Sequence, residues 1–238
     1  MLPHGVSVTL VEPRGPVNVG HVARLVQNFG VEKLYLVEPR VDLSVAAVYA
    51  SHASEVLDRA VVTTFEKVRR DNELMVATTA VRASKKSNVI RRTVGLDRLH
   101  DILSSSSSSS LVFGRDTTGL TNQEIRRCDI TVTIDTGPAY RALNIGHAAA
   151  IILYLASRGN PGRHAGQSRR AREIFAQNFY ELAAAAKLPE HKIQNLFEVG
   201  KRIAASSALT DDQLNLFSGV FRRATETIAR PQDRGSKT

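Results

Sequence analysis

From Val6 to about Gly159, short apolar runs rich in β-branched residues alternate with helix-patterned segments, and this alternation constrains the fold more than any other feature. Val6-Ser7-Val8-Thr9-Leu10-Val11 reads as a strand, being short and rich in Val and Thr. Residues 33–37, 61–63, 74–78, 111–114 and 130–134 read the same way. Between them, Val22, Leu25, Val26 and Phe29 share a helical spacing, with Gly30 placed to end the helix. Further helices are expected at 43–50, 55–60, 65–70, 121–127 and, as a long apolar one, at 144–157. Strands and helices in alternation predict an α/β fold, a mostly parallel sheet covered on both faces. In such sheets ligands bind at the carboxyl ends of the strands.

Two segments interrupt the pattern. Residues 104–110 are seven consecutive serines, which bury no apolar surface and are expected to form a flexible spacer. Residues 160–167 form a Gly/Pro-rich basic linker that closes a first domain, 1–159. Residues 168–238 then turn purely helical. Ser168 can cap a helix with Ala171, Ile174, Phe175, Phe179 and Leu182 on one face. Pro189 suits a first helical turn ahead of Ile193, Leu196, Phe197 and Ile203. Thr210 and Gln213 have capping-box spacing before Leu214, Phe217, Phe221 and Ile228. Three amphipathic helices are expected, with the basic clusters Arg169-Arg170-Arg172 and Arg222-Arg223 at their edges.

Composition narrows the function classes. Thirty-two Lys and Arg against 23 acidic residues give a formal charge of +9, which attracts polyanions. With no Trp and 5% aromatics, no base-stacking platform is evident. The single Cys128 excludes an internal disulfide and a cysteine zinc site. The apolar runs are too short for a membrane span, and the first residues lack the order of a signal peptide, so a cytoplasmic protein is expected. No protein partner is indicated. Neither a dinucleotide-binding glycine fingerprint, a P-loop, a zincin motif nor a nucleophile elbow occurs.

Three loops at predicted strand ends stand out. The first holds Asn18, Gly20 and Arg24, with Asn18 as a possible helix cap. The second, Phe113-Gly114-Arg115-Asp116-Thr117-Thr118-Gly119-Leu120, sets two glycines around a charged pair, allowing a tight turn and close approach to a ligand. The third, Ala139-Tyr140-Arg141-Ala142-Leu143-Asn144, enters the long apolar helix with Asn144 as a good N-cap. Singly, each loop has an ordinary structural explanation. In this order and spacing they resemble the three motifs of the SpoU branch of the SPOUT RNA methyltransferases, over roughly residues 5–158. Two positions depart from the family pattern: Asp116 stands where Glu is usual, and Ala142 where Ser is usual.

The resemblance implies a SPOUT-type parallel sheet with a C-terminal trefoil knot, here followed by a small all-helical extension. It implies S-adenosylmethionine as methyl donor without a metal, a homodimer, and transfer to a ribose 2′-hydroxyl. The likeness is greatest to tRNA-directed members, whose target is an anticodon-loop pyrimidine at tRNA position 32. An rRNA-directed enzyme of the branch is the alternative; those members often carry an extra N-terminal domain, whereas this chain begins at its first strand. A catalytically decayed RNA-binding protein is the alternative of another class. By carry-over, Thr78, Thr79, Ala80, Gly114, Ile134, Arg141, Ala142, Leu143 and Asn144 would hold the cofactor. Arg24 would sit by the target ribose and stabilise developing alkoxide charge, since arginine stays protonated. Asn18 would position Arg24 or the substrate, Arg115 would contact a phosphate, and Asp116 completes the catalytic set.

Overall fold

The computed structural model describes residues 1–80, 93–137, 141–158, 167–207 and 209–229. Six parallel strands form one sheet: β1 (Val6–Val11), β2 (Lys33–Val37), β3 (Val61–Thr63), β4 (Leu74–Thr78), β5 (Ser109–Phe113) and β6 (Ile130–Val132), ordered β3-β2-β1-β5-β4-β6. The chain builds outward from β1 to β3 and then crosses over, so that β5 inserts between β1 and β4. Loops leaving β1 and β5 therefore start side by side, at the reversal of strand order where open sheets form a crevice.

Both faces are covered, as the continuous apolar strands predict. Val6, Val8 and Leu10 pack on one side with Val19, Val22 and Val26 of α1 (Pro16–Phe29) and with Ile152 and Leu153 of α7 (Ile145–Ala156). Val11, Tyr35, Met75 and Val112 point the other way, against Phe65 and Val68 of α4 (Phe65–Asp71) and Ile125 of α6 (Asn122–Arg126). Neighbours along each strand alternate between these cores, as a pleated strand requires. Helix α1 ends at Gly30, whose φ of 64° places it in the left-handed region that glycine adopts without penalty. Gly20 lets α1 approach α2 (Leu43–Ala50); a Cβ there would lie 2.6 Å from the Ala46 carbonyl oxygen. Among the described residues, α3 (Ser54–Asp58) and α5 (Leu99–Ser104) complete the α-helices of this part.

The serine run is not a flexible spacer. Ser104 ends α5, and Ser109 and Ser110 open β5 in the middle of the sheet, fully buried. Ser110 shares a 2.7 Å hydroxyl hydrogen bond with Thr9 of β1. The Ser109 amide donates to Gly5, and Gly5 has no room for a side chain against the Ser107 carbonyl. Small polar side chains are tolerated here because the ladder and Gly5 satisfy the backbone and Thr9 satisfies the Ser110 hydroxyl, while the Ser109 hydroxyl is buried without a partner. β6 is shorter than read from sequence, stopping at Val132. The path that would tie a knot includes residues 81–92 and 138–140, outside the described residues.

The tail forms α8 (Arg169–Ala185), the short α9 (Glu190–Ile193), α10 (Leu196–Ser206) and α11 (Asp211–Ala229). The second expected helix is thus split after Ile193, with Pro189 as N-cap rather than inside the first turn. Ser168 caps α8, and Thr210 and Gln213 bond reciprocally at the start of α11. Phe175, Phe179, Phe217 and Phe221 cluster between α8 and α11, with centroids as close as 5.5 Å. Most of the linker, 160–166, lies outside the described residues. Its last residue, Gln167, is buried, and its amide donates to Ser105.

The basic cluster at the start of α8 is not an edge feature. Arg172 is 1% exposed; its guanidinium donates to the Gln167 and Glu73 carbonyls. The Arg169 guanidinium donates to the Asn72 carbonyl, and its backbone N–H donates to the Glu73 carboxylate. Burial lowers the pKa of both arginines, opposed by the field of Asp129 and Glu73. These two side chains bolt the tail to the turn before β4, leaving Arg170 as the exposed member.

Candidate active site

Three loops meet at the carboxyl edge of the sheet. After β1 the chain turns at Glu12 and enters α1 at Pro16, with Gly15 as N-cap. Asn18 therefore lies inside the first turn of α1 and is not the cap expected from sequence. Its side chain reaches outward instead: Nδ2 donates to Asp116 Oδ1 at 2.6 Å. The other Asp116 oxygen accepts the backbone N–H groups of Arg14 and Gly15, at 3.3 and 3.2 Å. Asn18 Oδ1 in turn accepts from Asn144 Nδ2 at 2.8 Å, and Asn144 Oδ1 caps α7 by accepting from Gly146 N. One hydrogen-bond chain thus joins the three loops singled out by sequence. A carboxylate at the start of α1 also faces the positive end of that helix.

Beside this chain lies a cavity of about 280 Å³, lined by the ends of β4, β5 and β6 and the loop before α7. Thr78, Thr79, Ala80, Gly114, Ile134, Arg141, Ala142 and Leu143 all line it, together with Asp116, Arg115 and Ile152. Gly114 cannot be larger, because a Cβ would fall 2.2 Å from the Gly119 carbonyl carbon. The turn closes by paired backbone bonds between Arg115 and Gly119, with Gly119 at φ 67°. Asn144, grouped with the cofactor residues on sequence, is not among the lining; its amide is spent on α7 and Asn18. Ala139 and Tyr140 of the third motif lie outside the described residues.

Arg115 is not available to grip a phosphate. Its guanidinium donates to both Glu124 oxygens, at 3.0 and 3.1 Å, and to Glu12. These partners raise its pKa, holding the charge in place. Hydrogen bonding to Arg115 lowers the Glu12 pKa. At Glu124, burial pushes the pKa up, but the bonds from Arg115 and Thr121 outweigh it. Arg115 therefore clamps the second loop to β1 and α6. Glu124 was legible as half of a Thr121-x-x-Glu124 capping box. Glu12 carried no local signal, being 103 residues from its partner.

Arg24 is the converse case. It is exposed on α1, and among the described residues its side chain has no hydrogen-bond or ion-pair partner. It does not line the cavity. His21, one turn earlier, packs near Gly146 at the start of α7. No group of His, Cys, Asp and Glu suited to a metal ion occurs among the described residues.

Residues 5–154 match the SpoU rRNA Methylase family. The chain is 33% identical over 227 residues to the tRNA (cytidine-2'-O-)-methyltransferase TrmJ of Methanocaldococcus jannaschii, covering 91% of this chain and 98% of that protein. It is also 33% identical over 151 residues to the protein of the same name from Sulfolobus acidocaldarius, a match spanning 63% of each chain. The crystal structure of TrmJ from Z. mobilis ZM4 shares the fold, with a TM-score of 0.63 at 21% identity over 94% of this chain and 99% of that one. Six parallel strands, a glycine-built turn after β5 and an Asn-capped α7 thus accompany a sequence match across the whole sheet: the chain belongs to the SpoU methylase family.

Proposed function

We propose that this protein is a cytoplasmic, homodimeric S-adenosylmethionine-dependent methyltransferase that modifies a ribose 2′-hydroxyl in tRNA, at an anticodon-loop pyrimidine. One observation carries the reading: the Asp116–Asn18–Asn144 chain holds the three family loops together at the rim of a cavity. The lining of the cavity suits the cofactor in chemistry. Ile134, Leu143 and Ile152 offer apolar wall for an adenine, and the strand-end loops offer backbone polar groups. Asp116 supplies negative charge near the cationic sulfonium and amine, while Arg141 is the exposed cation for the methionyl carboxylate.

When bound, the cofactor supplies an activated methyl group, which leaves the protein to place and polarise the acceptor oxygen. Arg24 carries a permanent, unneutralised charge and stabilises the oxygen as its proton leaves. Asn18 fixes α1 relative to the cavity, setting where Arg24 stands. Alignment of oxygen and methyl supplies much of the remaining rate. Dimer formation is supported by exposed apolar residues on helices that pack together: Val17 on α1, Val48 and Tyr49 on α2, Ile151 and Tyr154 on α7.

The test is nucleoside mass spectrometry of tRNA incubated with purified protein and S-adenosylmethionine. A 2′-O-methylated pyrimidine in the anticodon loop is the expected product. Methylation of rRNA with tRNA untouched would move the assignment to the rRNA branch. Cofactor binding with no transfer to either RNA would leave a decayed enzyme.

A further inference from the structure

The sequence Leu-Val-Glu-Pro-Arg occurs twice, at residues 10–14 and 36–40. The copies end neighbouring parallel strands in register, with Leu10 opposite Leu36 and Val11 opposite Val37. Both glutamates adopt positive φ, 43° at Glu12 and 47° at Glu38. Non-glycine residues rarely take this conformation, and it persists only where the surroundings enforce it. Here the enforcing contacts are backbone bonds: Glu12 N to Val37 O, Glu38 N to Thr63 O, and Arg40 N to Pro13 O. The proline after each glutamate fixes the next φ. The two turns thus run in parallel, about one strand spacing (~4.8 Å) apart, and deliver Arg14 and Arg40 to the same edge.

Both arginines are exposed, and among the described residues neither guanidinium has a hydrogen-bond or ion-pair partner. Three of the nearby carboxylates are already engaged, while the exposed Glu38 forms no ion pair with either arginine. Glu12 is held by Arg115, Asp42 accepts from Ser44, and Asp116 accepts the backbone of Arg14 itself. Both arginines add to the field that lowers the Glu12 pKa, so their charges act at the same spot. Through Arg14 N and Gly15 N, this spot is bonded directly to Asp116 and hence to the candidate active site.

We propose that Arg14 and Arg40 form a paired clamp for the RNA backbone, holding successive phosphates beside the target ribose. A guanidinium fork suits phosphate oxygens, and two in register suit a repeating polyanion. This assignment rests on the RNA methyltransferase reading above. The duplicated turn gives it a structural cause: one five-residue solution to leaving a strand, used twice to present the same cation.

The experiment compares wild type, R14Q, R40Q and R14Q/R40Q in tRNA methylation and in tRNA binding across a salt series, with R59Q at the end of α3 as a charge control. The double variant should raise KM for tRNA roughly tenfold or more, with a smaller change in kcat. Its log–log salt slope should shrink by roughly 1 per arginine removed. R14K/R40K should recover part of the affinity, and R59Q should behave as wild type. Calorimetry with S-adenosylmethionine should give the same affinity for all, which also reports intact folding. Unchanged KM and salt slope in a double variant of an active wild type would overturn the clamp alone. A wild type that methylates no RNA would overturn the parent reading, and the clamp with it.

Discussion

Asn18 and Asp116 are 98 residues apart in sequence and 2.6 Å apart across the carboxyl edge of the sheet. The bond matters because each partner also holds something else. Asp116 secures the entry to α1, and Asn18 receives Asn144 from the entry to α7. Loss of Asn18 therefore disconnects α1 from both the β5 loop and the entry to α7, and loss of Asp116 disconnects α1 from the β5 loop.

Asp116→Ala removes the acceptor for three donors, the Arg14 and Gly15 amides and Asn18 Nδ2. By analogy with lost helix caps, stability should fall by about 1 kcal/mol in urea titration. Methylation should fall much further, because Asn18 loses its orientation. D116E tests the departure from the family pattern, and should keep the fold while changing kcat.

Arg24→Ala should abolish transfer while leaving cofactor affinity and melting temperature near wild type. The side chain lies outside the lining of the candidate cavity and, among the described residues, makes no hydrogen bond or ion pair. Parallel loss of cofactor binding in calorimetry would instead mark Arg24 as structural.

Thr9 and Ser110 provide a buried double-mutant cycle across β1 and β5. Each single change, T9V or S110A, strands a buried hydroxyl and should cost about 1–3 kcal/mol. The double variant should cost less than the sum, since both polar groups leave together. Deleting residues 104–110 should prevent folding outright, because β5 would lose its first two residues.

Acid stability should depend on Arg115. The Glu12 and Glu124 pKa values are lowered in the fold, so their contribution is present above the unfolded value of about 4.3. It is lost as pH falls through the lowered folded values. Urea midpoints measured from pH 7 to 3 should drop in that acid range for wild type. R115Q should start lower at pH 7 and lose less on acidification.

Arg172→Ala should free the tail. The side chain is buried against the Gln167 and Glu73 carbonyls, and its loss should cost roughly 2–3 kcal/mol. Limited proteolysis between the sheet and α8 should accelerate. Deleting residues 168–238 should weaken tRNA binding more than cofactor binding, and should also destabilise the sheet, whose Asn72–Glu73 turn loses Arg169 and Arg172.

The sequence by itself determined what short-range chemistry decides. The strand and helix periods, the Gly30 stop, the Ser168 cap and the Thr210–Gln213 box are settled by residues within four positions of each other. The ordered motifs also named most of the cavity lining. Tertiary structure decided everything that depends on distant partners. Seven serines read as a spacer, because only insertion between β1 and β4 supplies the ladder that pairs the Ser109 and Ser110 backbone and the Thr9 hydroxyl that bonds Ser110. Arg115 and Arg172 read as free cations, because Glu12 and Glu73 reach them only after the chain has folded. Asn18 read as a cap, because the carboxylate that claims it arrives from β5. A side chain's type sets which bonds it can make, but which it does make is fixed by the strand order that decides its neighbours.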